Sequence, residues 1–166
     1  MAEVVEAIAG FLIANVDGID AEAVEAAASR YHDELEALDA EVAGLVDTIP
    51  EANRVLITNH QVFGYFADRY GFEVAGAVIP SGSTVDSASA AALAELAELI
   101  EHEGVSAIFS ETSSSDELAQ TLADEVDEVA VVELYSESLG DADSDGATYV
   151  DMVRTNAERI ASALAS

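Results

Sequence analysis

The sequence predicts an α/β fold: a four-stranded, mostly parallel sheet flanked by helices, preceded by a short N-terminal helix and a long connecting helix. Two observations carry this prediction. From residue 54 onward, short apolar runs rich in Val and Ile alternate four times with stretches of helical periodicity. A helix between successive strands implies parallel pairing, with both faces of the sheet covered. Before residue 50, apolar residues recur at steps of three and four, which is typical of amphipathic helices.

The N-terminal region contains two predicted helices. Residues 2–16 place apolar side chains at helical spacing, and Asp17-Gly18 ends this segment. The second helix begins at Asp20 and continues to Ile49, where Pro50 stops it. Its apolar residues form one narrow heptad-like stripe along a rod of roughly 45 Å. Such a rod is either a dimerising coiled coil or a strut across a larger body. The strut is slightly favoured, because the acidic remainder of the helix would repel a parallel copy.

Four strands and four helices then follow in alternation. The predicted strands are residues 55–58, 72–79, 107–110 and 129–134. The predicted helices are residues 62–70, 88–103, 115–127 and 149–164. Ser114 and Glu117 match a capping box at the start of the third of these helices. The predicted domains are therefore an N-terminal helix at 1–19, a connecting helix at 20–50 and an α/β lobe at 51–166.

The charge of the chain is strongly acidic. Its 166 residues include 34 Asp and Glu against five basic residues, all Arg, for a formal net charge of −29. Such a surface repels phosphates and anionic membranes, so no nucleic-acid or membrane partner is expected. The acids are spread along the whole chain, which favours a halophilic, salt-adapted protein over a dedicated cation-collecting surface. Because the screening length grows to roughly 30 Å at 0.01 M salt, we expect the protein to lose structure when desalted.

Several residue types and motifs are absent from the sequence. Without Cys the chain has no disulfide, thiolate metal site or cysteine nucleophile. Ser113-Ser114-Ser115 lacks the context of a hydrolase elbow, and no phosphate-binding loop is present, so we expect no enzyme. Glu3 and Glu6 replace the basic start of a signal peptide, and no apolar run approaches membrane-spanning length. We therefore expect a soluble chain without a signal.

Candidate chemistry lies at the carboxyl ends of the strands, where open parallel sheets bind their ligands. The first strand leads to His60 and the fourth to Glu137, so the two can converge although they are distant in sequence. An imidazole and a carboxylate form half of a site for Zn²⁺, Mn²⁺ or Fe. Two ligands are too few for tight binding, so either others come from outside this chain or the site is weak. His60 can alternatively cap the following helix or bond to the backbone, and its residue type and position alone favour that role.

The remaining acidic and histidine motifs are weaker candidates. His32 and His102 lie on predicted helix surfaces and are interpreted as solvated residues. Residues 141–146 match the start of an EF-hand loop, but Met152 occupies the position of its bidentate Glu. We therefore expect a solvated, flexible loop that binds Ca²⁺ weakly at most.

Four runs of sequence resemble the zinc- and manganese-binding solute-binding proteins of ABC-type importers, the cluster A-I or cell-adhesion family. In matching order and spacing, they are Thr58–Phe72, Ile108–Ser113, Leu134–Gly140 and Thr148–Asn156. The resemblance implies two α/β lobes joined by one long helix, with the metal in the cleft between the lobes. Residues 20–50 would then be the connecting helix and 51–166 the second lobe. Residues 1–19 would be a remnant of a missing first lobe.

The resemblance also implies the ligands and the function. His60 takes the family's third ligand position, which is His or Glu, and Glu137 takes the fourth, which is usually Asp. The extra methylene of Glu137 leaves open whether it coordinates directly or through water. On this resemblance, we expect the first lobe's two histidine ligands, the export signal and the lipid anchor to lie outside this sequence.

The implied function is binding of Zn²⁺ or Mn²⁺ and its delivery to the importer's membrane subunit, at the cell envelope or the extracellular surface. The alternative is a non-transport interaction or dimerisation module with only weak metal binding. Apolar faces of the first two helices would be exposed without the first lobe. We therefore expect self-association, or a partner chain that supplies the lobe.

Overall fold

A computed structural model of the chain describes residues 1–79, 90–113, 115–126 and 129–165. These residues divide into two compact units, 1–43 and 44–166. None of the helices in the described ranges combines the length and apolar character that a membrane span requires.

The first unit is helical. Helix α1 is Ala2–Asn15, and helix α2 is Ala21–Val46, whose last turn lies in the second unit. Asp20 caps α2, because its carboxylate accepts a hydrogen bond from the backbone N–H of Ala23 at 3.0 Å. The predicted second helix is three residues too long at its C-terminal end. There the chain turns before Pro50, and the Thr48 hydroxyl donates to the Leu45 carbonyl at 2.6 Å.

The second unit is an alternating α/β structure. After a 3₁₀ turn at Glu51–Asn53, its strands are β1 Val55–Thr58, β2 Glu73–Ala77, β3 Ala107–Glu111 and β4 Ala130–Leu134. Its helices are α3 Gly64–Tyr70, α4 Ala90–Glu103, α5 Glu117–Glu125 and α6 Tyr149–Leu164. The strand order is β2-β1-β3-β4, and every pair is parallel. The predicted α/β fold is confirmed.

The core lies around the two central strands. All five residues of β3 are buried, as expected for a parallel strand covered on both faces. Ile57 of β1 and Ile108 of β3 are fully buried, and they belong to one apolar cluster with Ile100 of α4 and Leu122 of α5. Burial of these aliphatic side chains, at about 25 cal/mol per Å² of apolar surface, fixes the sheet against its helices.

Several predicted boundaries shift by one or a few residues. Strand β2 is shorter than predicted at both ends, and α3 begins at Gly64 rather than residue 62. Gly71 ends α3 with φ of 72°, a left-handed conformation that glycine adopts without strain. The predicted capping box is not tested, because Ser114 lies outside the described residues. Within the described part of that turn, the Ser115 hydroxyl accepts from the Glu117 N–H at 3.3 Å.

Candidate metal centre

Buried polar residues of the described chain concentrate at the carboxyl edge of the sheet. Burying a polar group without partners costs free energy, so such a concentration is unusual for a purely structural core. Four of these residues lie at or just after the carboxyl ends of β1 and β3. The other two lie on α6 and form hydrogen bonds with the segment that follows β4. They are Thr58, Asn59, Ser110, Glu111, Thr155 and Asn156.

His60 lies two residues beyond β1, on a backbone that is firmly bonded. The Asn59 N–H donates to the Phe109 carbonyl at 2.8 Å, which continues the contact between β1 and β3 past the end of β1. The Thr58 hydroxyl donates to the His60 carbonyl at 2.8 Å. The His60 side chain is 35% exposed, so its ring is held at the edge yet reachable from solvent.

Glu111, the last residue of β3, lies directly beside His60. Its Oε1 is 3.4 Å from His60 Nδ1, and its side chain is only 4% exposed. With Nδ1 facing a buried carboxylate, Nε2 is the ring nitrogen that remains for a ligand. Glu111 was not among the site residues predicted from the sequence. The available signal was its position as the one acid at the end of an otherwise uncharged strand.

Glu137 follows β4 and is exposed. It lies at the same sheet edge as His60, but β3 separates β1 from β4, so the two strands are roughly 10 Å apart. Within the described part of the chain, no hydrogen bond or ion pair joins Glu137 to His60. The structure therefore brings His60 together with Glu111, and it leaves Glu137 on the far side of β3.

The backbone just before Glu137 is held by α6. The Tyr135 N–H donates to Asn156 Oδ1 at 2.9 Å, and Asn156 Nδ2 donates to the Tyr135 carbonyl at 2.6 Å. One buried amide thus satisfies both backbone polar groups of Tyr135, as a neighbouring strand would.

The EF-hand-like segment at 141–146 has internal structure that the sequence analysis did not anticipate. The Tyr135 hydroxyl donates to Asp145 Oδ1 at 2.6 Å, and Arg159 Nη2 donates to Asp145 Oδ2 at 2.8 Å. The hydrogen bond from Tyr135, followed by the charge and hydrogen bond of Arg159, holds the pKa of Asp145 below its ordinary value. Both carboxylate oxygens of Asp145 are therefore engaged within the protein, so this Asp is not a free calcium ligand.

The other two histidines lie elsewhere. His32, Asp33 and Glu36 of α2 place ligand atoms within 4.8 Å of one another, and His32 Nε2 is 3.5 Å from Glu6 of α1. The Asp33 and Glu36 side chains are exposed, and such acidic groups are common on a chain of this composition. His102 is 81% exposed beside Glu103, as predicted for a surface residue.

Residues 1–163 match the family model described as "ZnuA: Zinc-uptake complex component A periplasmic". The chain belongs to this family. The resemblance to metal-binding solute-binding proteins of ABC importers is thereby confirmed, and the family is one of transport proteins rather than enzymes.

Curated relatives of the family are considerably longer than this chain. The zinc-binding protein TroA of Treponema pallidum (strain Nichols) is 40% identical over 140 residues, covering 81% of this chain and 45% of TroA. The manganese-binding lipoprotein MntA of Bacillus subtilis (strain 168) is 31% identical over 149 residues, covering 87% and 48%. The chain thus spans about half the length of these relatives.

A solved structure agrees in fold. The periplasmic zinc-binding protein TroA from Treponema pallidum superposes with a TM-score of 0.88 at 35% identity, covering 99% of this chain and 60% of that chain.

Proposed function

We propose that the chain binds Zn²⁺ or Mn²⁺ as part of the solute-binding protein of an ABC importer, with His60 and Glu137 as metal ligands. The observation that carries this proposal is the His60 ring at the carboxyl end of β1, backed by the buried carboxylate of Glu111. Metal-binding histidines commonly present their second ring nitrogen to such a carboxylate, which fixes the ring and raises its basicity. The relatives TroA, a zinc-binding protein, and MntA, a manganese-binding lipoprotein, support this class of ion.

The two ligands play different parts in this proposal. His60 lies with Nδ1 beside the Glu111 carboxylate and offers Nε2 to the ion. Glu137 is exposed and reaches the ion from the β4 side, directly or through a water molecule. Borderline ions of this kind take four or more ligands, so two protein ligands leave open positions. We propose that these positions are filled from a first lobe, since the relatives are about twice as long as the matched segment.

The side chains around the site support the proposal that another protein segment covers the carboxyl edge of the sheet. Among the described residues of the second unit, the exposed large apolar side chains follow the carboxyl ends of β1 and β4, and they are Val62, Tyr65 and Leu139. Tyr65 is 94% exposed. Apolar side chains around a polar site are typical of a surface that meets another protein segment. We propose that the first lobe covers this edge, and that the whole protein works at the cell envelope with an importer's membrane subunit.

The test is a calorimetric titration of the chain with Zn²⁺ and with Mn²⁺ in molar KCl. We expect binding to one site, weaker than that of a site with four protein ligands, which His60→Ala abolishes and Glu137→Ala weakens at least tenfold. His102→Ala is the matched control, because this exposed histidine also contacts a Glu. His32→Ala tests the α2 cluster, and neither control should change the affinity. Weak binding that is indifferent to His60 would contradict the proposal.

A second candidate function is an interaction or dimerisation module. It is favoured by the apolar face of α1, where Val4, Ile8 and Phe11 are 47%, 53% and 65% exposed at helical spacing. Such a face is stabilised by burial against a second copy or a partner chain. Light scattering at high salt should then give at least a dimeric mass, and a monomeric mass would count against this candidate.

A further inference from the structure

The segment that carries Glu137 is fixed at both of its ends. Residues 135–148 connect β4 to α6 without a regular helix or strand. An exposed Glu on a freely moving connection would be a poor ligand, because metal sites require placement within roughly 0.5 Å. The contacts on either side of residues 136–139 therefore determine the position of the Glu137 carboxylate.

At the end next to β4, the Asn156 side chain makes the backbone hydrogen bonds that a neighbouring strand makes within the sheet. The backbone hydrogen bonds between β3 and β4 end with the one that the Thr112 N–H donates to the Leu134 carbonyl at 3.1 Å. The next residue, Tyr135, has both backbone groups bonded to Asn156 instead. Tyr135 is 8% exposed and Asn156 is 5% exposed, so water competes little for these bonds.

At the other end, a backbone hydrogen bond closes the loop of residues 140–146. The Gly140 N–H donates to the Gly146 carbonyl at 2.9 Å, and the neighbouring Asp145 binds the Tyr135 hydroxyl. Thr155 of α6 adds a bond from its hydroxyl to the Asp145 carbonyl at 2.6 Å. Tyr135 is thus bonded to α6 directly, and Gly140 is bonded to Gly146, whose neighbour Asp145 is held by α6. Only four residues remain between Tyr135 and Gly140.

We propose that Asn156 is a positioning residue for metal binding: by bonding both backbone groups of Tyr135, it fixes the segment 136–139 and with it the Glu137 carboxylate. The inference rests on the proposed function, in which Glu137 is a ligand. Asn156 itself touches no ion. It acts through the backbone two residues before the ligand, and Asp145 completes the arrangement through the Tyr135 side chain.

The first test is Asn156→Asp, which keeps the side-chain shape and an acceptor for the Tyr135 N–H but removes the donor to the Tyr135 carbonyl. Asn53→Ala is the matched control, since Asn53 Nδ2 donates to the Leu164 carbonyl at 3.0 Å at the opposite edge of the sheet. We expect Asn156→Asp to lower metal affinity at least tenfold, and Asn53→Ala to reduce stability without changing affinity. Equal affinity losses in both variants would overturn the proposal.

A double-mutant cycle separates positioning from general destabilisation. In the background of Glu137→Ala, Asn156→Asp should have no further effect on affinity, because the group that it positions is gone. Additive losses would overturn the inference.

A readout without metal distinguishes failure of this inference from failure of the proposed function. Backbone order parameters of residues 136–139, measured by ¹⁵N relaxation, should fall in Asn156→Asp. Tyr135→Phe, which retains the ring, should lower them less. If Glu137→Ala leaves metal affinity unchanged while the order parameters respond as expected, the proposed ligand is wrong and the fixed segment stands. Unchanged order parameters would overturn the inference whatever the metal result.

Discussion

Gly146 packs against the ring of Tyr135, and alanine at this position tests the arrangement at the end of β4. A Cβ at residue 146 would lie 2.5, 2.6 and 2.7 Å from three ring carbons of Tyr135, well inside the 3.4–4 Å of ordinary contact. The ring has little room to retreat, because its hydroxyl bonds Asp145 and its backbone bonds Asn156. Gly146 has no left-handed φ, so alanine acts through packing and not through backbone strain.

The expected loss of stability follows from these contacts. Overpacking costs about 1–3 kcal/mol, and a broken hydrogen bond of the Tyr135 hydroxyl adds about 0.5–1.5 kcal/mol, so Gly146→Ala should cost about 2–4 kcal/mol. For a domain of this size, that loss corresponds to a fall in melting temperature of roughly 4–16 °C. The assay is reversible urea unfolding in molar KCl, followed by far-UV circular dichroism.

Gly44→Ala is the control for Gly146→Ala. Gly44 lies on the exposed surface of α2, and a Cβ there would meet no atom within 4 Å. Alanine should therefore stabilise this helix by about 0.5–1 kcal/mol, opposite in sign to the change at residue 146. If Gly146→Ala were as stable as the wild type while Gly44→Ala showed its gain, the packing of Tyr135 on Gly146 would be refuted.

Two further predictions concern charge. With a net charge of −29, the protein should lose far-UV helical signal on transfer from molar KCl to 0.01 M buffer, and an unchanged spectrum would contradict this. The second concerns Asp145, whose pKa is held below its ordinary 3.8 by the Tyr135 hydrogen bond and Arg159. Its ionised form stabilises the fold above pH 3.8, and this contribution is lost as the pH falls through the lowered pKa. The stability difference between wild type and Asp145→Asn, measured by urea unfolding, should therefore be larger at pH 7 than at pH 3, and equal differences would contradict the assignment.

The fold was predictable from local patterns, because the short apolar runs of the strands differ clearly from the three- and four-residue spacing of apolar residues in the helices. Alternating apolar runs and helical stretches gave all four strands and the helices between them. The boundaries of the strands were less predictable, since they depend on hydrogen bonding with the neighbouring strands. Strand β2, for example, is Glu73–Ala77, yet the N–H groups of Val78 and Ile79 still donate to the carbonyls of Thr58 and Asn59, so its C-terminal boundary marks only the end of regular pairing.

The surroundings of the candidate site were harder to predict. His60 stands out because histidine is rare in this sequence, and its position follows from the strand that precedes it. Glu111 carries a weaker signal among 34 acids, its position at the end of an otherwise uncharged strand, and in the structure its burial distinguishes it. The partners of Asp145 are equally hidden, because Tyr135 and Arg159 are 10 and 14 residues away and no local motif connects them. The expectation of a solvated, flexible loop at 141–146 rested on spacing and composition, which do not show these bonds.

Strand order explains why the buried acid belongs to the site. In a sheet of order β2-β1-β3-β4, the end of β3 lies between the ends of β1 and β4, which are followed by His60 and Glu137. An apolar residue at the end of β3 would give a more stable edge, because a buried carboxylate costs free energy unless it is paired. The described residues bury a single acid, Glu111, and its carboxylate contacts His60. A carboxylate at this central position favours a positively charged group at the sheet edge. The contact of Glu111 with His60 offsets part of the cost of burial, and this pairing at the carboxyl edge is a physical reason to regard the edge as a binding site.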